Sequence, residues 1–238
     1  MTGKFICSSL AGLLLVSCTP EKQSEQKTPS PLVIVKSKNP ILSPEQKKEL
    51  RFSSDIIELV ERDADAKAEP FFATVVMKTE NLKGEKGFES RKLAGFSVRT
   101  TKTEELVKSL RSTLRSRGYL IFKSHRGYGT VPDTVTVIQG RTSYDIVKMQ
   151  GTEAIGFDLS TQTIIAWLKE RQKESSFVIT GAGPDWIEAQ FIKLPHDLTI
   201  FAKKIIEFSP DVLTRDIKTL DNLIEHIEKK KGFFLSWD

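Results

Sequence analysis

From residue 43 to the end of the chain, apolar positions switch between helical and alternating spacing, which predicts interspersed helices and strands. Ser43-Pro44-Glu45 is a helix start, a hydroxyl cap with proline in the first turn. Ile56, Ile57, Val60 and Ala64 keep helical spacing through Asp55 to Lys67. Phe71 to Lys78 is β-rich and apolar on both faces, and Leu93 to Arg99 puts Ala94, Phe96 and Val98 on one side. Between them Asn81 to Glu89 carries Gly84 and Gly87, so the pair predicts a hairpin with a long charged loop.

Thr103 to Arg117 is a helix with Leu106, Leu110 and Leu114 on one stripe and Gly118 as its stop. Strands follow at Tyr119 to Lys123 and Thr134 to Gln139, separated by Ser124-His125-Arg126-Gly127-Tyr128-Gly129. Ser143 to Gln150 reads as a short helix ended by Gly151. Thr161 to Gln172 reads as a longer one, buried along Ile164, Ile165 and Leu168 and capped by Ser160 or Asp158. Phe177 to Thr180 and Trp186 to Lys193 are strands joined by the turn Gly181-Ala182-Gly183-Pro184-Asp185. Asp197 to Phe208 and Thr219 to Lys230 are amphipathic helices, and Phe233 to Trp237 closes the chain as a strand. Recurrent hairpins among the helices predict an α+β fold, a mixed and largely antiparallel sheet packed by several amphipathic helices in a single globular domain.

The first 31 residues follow another pattern. Lys4 precedes an apolar run from Phe5 to Val16, which has signal-peptide length and falls short of the roughly 20 residues a membrane-spanning helix needs. The run ends in Leu15-Val16-Ser17-Cys18, which resembles the lipobox of bacterial lipoproteins. That resemblance implies lipid transfer to the Cys18 sulfur, cleavage before it, and acylation of the new amine by fatty chains such as palmitate. A thiol suits the step because it is far more nucleophilic than a hydroxyl such as that of Ser17. Each buried acyl CH2 contributes roughly 0.8 kcal/mol, so two or three chains hold firmly. Thr19 to Pro31 has no apolar residue and three prolines, the composition of a disordered tether reaching roughly 20 Å. Leu32 to Val35 is a short apolar run suited to an edge strand or a packed arm. The expected organisation is a signal peptide (1–17), a lipidated N-terminus and tether (18–31), an N-terminal part of the globular region (32–102) and a C-terminal domain (103–238).

Only Cys7 and Cys18 are present, so the mature chain would hold no disulfide and no cysteine metal site. The formal charge is +5 with a pI near 9.1. The lipobox resemblance implies a cell-envelope location, and Thr19 after the cysteine resembles the sorting pattern that places such proteins at the outer membrane facing the periplasm if there are two membranes. The expected partners are the membrane itself through the lipid anchor, and anionic headgroups or an acidic protein; nucleic acid is not expected. Lys102 to Arg126 carries the main charge asymmetry, with Lys102, Lys108, Arg111, Arg115, Arg117, Lys123 and Arg126 against Glu104 and Glu105. A solvated helix face explains it, and a headgroup-binding or acidic-partner patch is the functional version.

The last half also resembles the family called domain of unknown function 4253. The residues that carry it are Tyr144-Asp145-Ile146 with Gly151-Thr152, Trp167-Leu168, Asp185-Trp186-Ile187-Glu188 with Phe191, and Phe201-Ala202. They continue with Phe208-Ser209-Pro210-Asp211-Val212 and end at Leu235-Ser236-Trp237-Asp238. That family commonly has cysteine where this chain has Ser209, and a tryptophan pair at Ser236-Trp237. The resemblance, read from about Thr103 onward, implies a shared fold and no particular reaction.

Candidate binding residues are Trp186, Glu188, His125, Asp211 and Trp237. Alternation puts Ile187, Ala189 and Phe191 on one strand face and Trp186, Glu188 and Gln190 on the other. A tryptophan beside a carboxylate and an amide suits a sugar- or peptide-binding cleft, while a helix covering that face would make Trp186 ordinary core. Asp211 after Pro210 suits a turn cap, and Trp237 suits structural docking of the terminus as well as function. His125, His196 and His226 lack ligand spacing, so no metal and no cofactor is expected. There is no Gly-x-Ser-x-Gly elbow and no Cys–His arrangement. These features favour a non-enzymatic binding domain. A hydrolase with a cleft near Trp186, Glu188 and His125, and a tethered immunity-type inhibitor, are the alternatives.

Overall fold

Side-chain caps set four of the helix starts. In the computed structural model, which describes residues 41–77, 88–214 and 217–237, Ser43 Oγ accepts from Gln46 N while Gln46 Oε1 accepts from Ser43 N, a reciprocal box opening α1 (Pro44–Leu50). Ser160, Asp197 and Thr219 accept in the same way from Thr163, Ile200 and Asn222, opening α5 (Thr161–Glu174), α6 (Leu198–Phe208) and α7 (Leu220–Lys230). The remaining helices are α2 (Ser54–Ala64), α3 (Thr103–Ser116) and α4 (Tyr144–Gln150). The signal-like run, the tether, Leu32 to Val35, most of the charged loop from Asn81 to Glu89, and Asp238 lie outside the described residues.

The strands are β1 (Glu69–Met77), β2 (Phe88–Thr100), β3 (Tyr119–His125), β4 (Asp133–Gln139), β5 (Phe177–Ala182), β6 (Trp186–Phe191) and β7 (Gly232–Ser236). They form one sheet in the order β1-β2-β4-β3-β5-β6-β7. Every neighbouring pair is antiparallel except β3 and β5, which run parallel. The fold is therefore α+β on a mixed, largely antiparallel sheet, and Asn39–Asp238 is one compact unit. Residues 32–102 contribute β1 and β2 to the same sheet as the C-terminal half.

Two apolar layers cover the sheet. On one face α1, α2 and α3 bury Ile56, Ile57, Val60, Leu106, Leu110 and Leu114 against Phe96, Val98, Ile121, Val135 and Val137. On the other, α4 to α7 bury Ile164, Leu168, Phe201, Ile205, Leu223 and Ile227 against Phe122, Phe177, Ile179, Ile187, Phe233 and Leu235. The expected face of β2 shifts at its N-terminal end. Gly95 pairs with Phe71 and Leu93 with Phe72, so Ala94 is an extra, bulged residue. Leu93, not Ala94, therefore joins Phe96 and Val98 in the first layer.

The two layers are not of equal extent. The first stops at β3, and Val178, Trp186, Glu188, Gln190 and Phe234 belong to neither. Over β5, β6 and β7, that face of the sheet carries no helix among the described residues. Two further bulges, skipping Ser124 in β3 and Thr180 in β5, flank the parallel contact at Lys123 and Gly181 where the first layer ends.

Candidate functional site

Alternation along β6 sends Ile187, Ala189 and Phe191 into the helix-covered core and leaves Trp186 and Glu188 on the open face. The cross-strand partner of Glu188 in β7 is Phe234, which stands beside Trp186 with ring centroids 6.1 Å apart and planes 27° apart. Trp186 is only 7% exposed, yet its cover is not a helix. Phe234 flanks it, and Gly183 and Gly181 lie against its ring. A Cβ at Gly183 would fall 2.1 Å from Trp186 Nε1, so only glycine lets the indole fold back over its own turn.

Lys123 supplies the cation of the face. Its Nζ donates to Glu188 Oε2 at 2.8 Å, with Asp133 Oδ2 3.9 Å away and 10% of the side chain exposed. The other oxygen of Asp133 accepts from Gly127 N at 2.8 Å, which ties the β3–β4 loop to the same cluster. Thr130 N and Val131 N both donate to Gly127 O, closing a tight turn around it. A side chain at Gly127 would strike Val131 O.

That turn holds Arg126 over the aromatic pair. Its Cζ lies 4.4 Å from the Phe234 ring centroid, 5.8 Å from that of Trp186 and 5.2 Å from that of Tyr128. These are cation–π distances, and they orient the guanidinium without neutralising it. Arg126 makes no ion pair among the described residues, whereas Lys123 is matched by two carboxylates.

The five candidate residues separate in space. Trp186 and Glu188 share the open face. His125 is exposed at the end of β3, paired in register with Thr134. Trp237 is buried on the opposite, helix-covered face, where its Nε1 donates to Phe208 O at 3.0 Å and its ring meets Phe208 edge-on. Asp211 is half-buried in the 3-10 turn Pro210–Val212 that follows α6. Among the seven cations of Lys102 to Arg126, Arg117 bonds Asp55, while Lys123 and Arg126 belong to the open-face cluster. A shallow depression beside α2, lined by Glu58, Glu61, Arg62, Asp65 and Lys67, holds none of the candidates.

Phe234, Asp133 and the orienting role of Arg126 were missed from the sequence. Phe234 is recoverable by pairing the alternation of Phe233 to Trp237 with that of β6. Arg126 is not, because its position depends on the fold of the Gly127 turn. No group of three or more His, Cys, Asp or Glu among the described residues could hold a metal ion, and no described helix is long and apolar enough to cross a membrane.

Residues 134–238 match the family model described as Domain of unknown function (DUF4253). The match begins in β4, later than the Thr103 start expected from the sequence. No curated protein and no solved structure matches the chain.

Proposed function

We propose that the chain is a lipid-anchored protein of the bacterial cell envelope, at the outer membrane facing the periplasm in a two-membrane cell. Its folded part is a binding module, without catalysis, and it binds through the open face of β5, β6 and β7. The anchor rests on Leu15-Val16-Ser17-Cys18 at the end of a run too short to span a bilayer. The observation that carries the binding reading is Arg126, held over Phe234 and Trp186 and in no ion pair among the described residues. An oriented, half-buried arginine flanked by aromatic rings is the composition of an interface hot spot. The ionisable groups beside it are engaged with each other, Lys123 with Glu188 and Asp133. That is the pattern of a structural cluster, not of a free acid and base.

Mass spectrometry of the mature N-terminus tests the anchor. A diacylglyceryl mass on Cys18, and release of the Cys18→Ala variant from the membrane fraction, are expected; an unmodified or still-attached upstream segment overturns it. Photo-crosslinking residues placed at Val178 and Gln190 test the binding face against exposed Glu170 and Lys203 on the helical side. Crosslinks confined to the first pair are expected. Equal yields from both sides, or yields from the helical side alone, would defeat the reading.

A further inference from the structure

The open face of β5, β6 and β7 has a wall as well as a floor. β2 and β3 are both antiparallel to β4, which lies between them, so they run parallel and α3 is the crossover that joins them. α2 packs on β2 and on α3, which places it on the flank of α3 away from β5. Arg117 reaches Asp55 on that flank. A right-handed crossover, at about 100° per residue, turns Arg111 and Arg115 to the opposite flank, about 80° and 120° round from the buried stripe of Thr103, Leu110 and Leu114. That flank faces β5 and the open strands beyond it.

Arg111 is half-buried, and its Nη1 is buried with no hydrogen-bond partner among the described residues. Burial and the neighbouring Arg115 both push its pKa below the ordinary guanidinium value. Neither arginine makes an ion pair among the described residues; Glu104 shares the flank but is exposed and about two turns away. α3 runs antiparallel to β3, so Arg111, roughly 8 Å before the helix end, stands level with Ile121 and Val178. Arg126 closes the other end, over Trp186 and Phe234. Between them the floor is uncovered. On the far face of the same strands Ile179, Ile187, Ala189, Phe233 and Leu235 are at most 3% exposed beneath their helices, whereas Val178, Glu188, Gln190 and Phe234 are only half-buried. Strands about 4.8 Å apart put β5 and β7 about 10 Å from each other, and a helix is about 10–12 Å across, so the strip is one helix wide.

We infer that the strip takes an amphipathic, acidic helix of a partner protein, laid beside α3 across β5, β6 and β7. Its apolar stripe rests on Val178 and Phe234. Asp or Glu residues on its flanks meet Arg111 and Arg115 at one end and Arg126 at the other, and a carboxylate at Arg111 satisfies a buried donor that the folded chain leaves open. This rests on the binding-module reading and names its partner class. A helix fits better than an anionic bilayer, because α3, about 10 Å thick, holds a flat lipid surface away from the floor. A second copy of the chain fits less well. Two-fold pairing of this face with itself would bring the arginines of both copies into one interface.

The experiment is selection of random 20-residue peptides, displayed on yeast, against the intact detergent-solubilised chain, with the Arg111→Gln, Arg111→Lys and Arg126→Gln variants measured on the selected peptides. Circular dichroism of each variant verifies folding. The expected peptides repeat apolar residues at helical spacing with Asp or Glu on the flanks. They bind about tenfold more weakly to Arg111→Gln and to Arg126→Gln, with Arg111→Lys in between, and lose binding when proline replaces a central residue. Selected peptides without acidic flanks, or with affinity indifferent to both arginines or to the central proline, overturn this inference and leave the binding-module reading standing on its crosslinks. Binding to phosphatidylglycerol vesicles without peptide binding, or concentration-dependent self-association lost in the arginine variants, also overturns it. A selection that returns no peptide while Val178 and Gln190 still crosslink defeats this inference alone; with no crosslink from either position, both readings fall.

Discussion

Lys123 and Glu188 lie on strands separated by β5, and the ammonium still reaches the carboxylate at 2.8 Å. Gly181 makes this possible. It is the residue in register with both, and a Cβ there would press on Lys123 and on the Trp186 ring. The ion pair thus passes over a strand that has no side chain at that point, at the one parallel junction in the sheet.

Removing one partner of this pair leaves the other charge nearly buried. Glu188→Gln is expected to destabilise the fold by about 2 kcal/mol, since Asp133 at 3.9 Å is too far for a hydrogen bond. The double variant Lys123→Met with Glu188→Leu should recover most of that loss. Urea denaturation of the wild type, Lys123→Met, Glu188→Leu and the double variant measures the coupling, and additive losses would show that the pair is not coupled.

Ser209 carries two hydrogen bonds with one hydroxyl, both to buried groups of Ser236. Ser209→Ala orphans an N–H and a C=O together, and about 2–3 kcal/mol should be lost. Amide exchange at Ser236 should accelerate more than at Leu235, which bonds to β6. Ser209→Cys keeps a weak donor and acceptor and should lose less.

Asp145 holds the turn before α4, accepting from Arg141 N at 3.0 Å and Thr142 N at 2.9 Å. Burial raises its pKa, but those bonds and Lys148 outweigh burial and hold it below the usual carboxylate range. A carboxyl with a depressed folded pKa binds more protons unfolded than folded, so its stabilisation is complete above its ordinary value of 3.8 and is lost as pH falls below it. Asp145→Ala should therefore cost about 1 kcal/mol at neutral pH and less in acid. Thermal melts from pH 7 down to pH 3 should show the two proteins converging.

Gly183→Ala places a methyl where the Trp186 indole now lies. Displacing the ring should cost about 1–3 kcal/mol and loosen its contact with Arg126. Near-ultraviolet dichroism should weaken, and a variant with an unchanged spectrum and unchanged stability would show that the indole is not held by this turn.

Helix starts were legible at Ser43 and Ser160, hydroxyl caps that precede the apolar helical spacing; α2, α3 and α4 have no side-chain cap and were legible from that spacing alone. Strand faces were legible where pairing is regular, as in β6. They were misread at Ala94, because a bulge inserts one residue and reverses every position beyond it. The two carboxyl-bearing partners of Lys123 were out of reach for a different reason. They come from β4 and from β6, and only sheet order brings them to one ammonium.

The order of strands also limits how the protein can be dissected. The family match begins in β4 and runs to the end, but β3 lies outside it and sits between β4 and β5. A recombinant fragment cut at the start of the match would have a gap one strand wide through its middle, and Glu188 would lose Lys123. Expression work on this chain should therefore keep everything from Asn39 onward and treat the matched boundary as a bookkeeping line, not a place to cut.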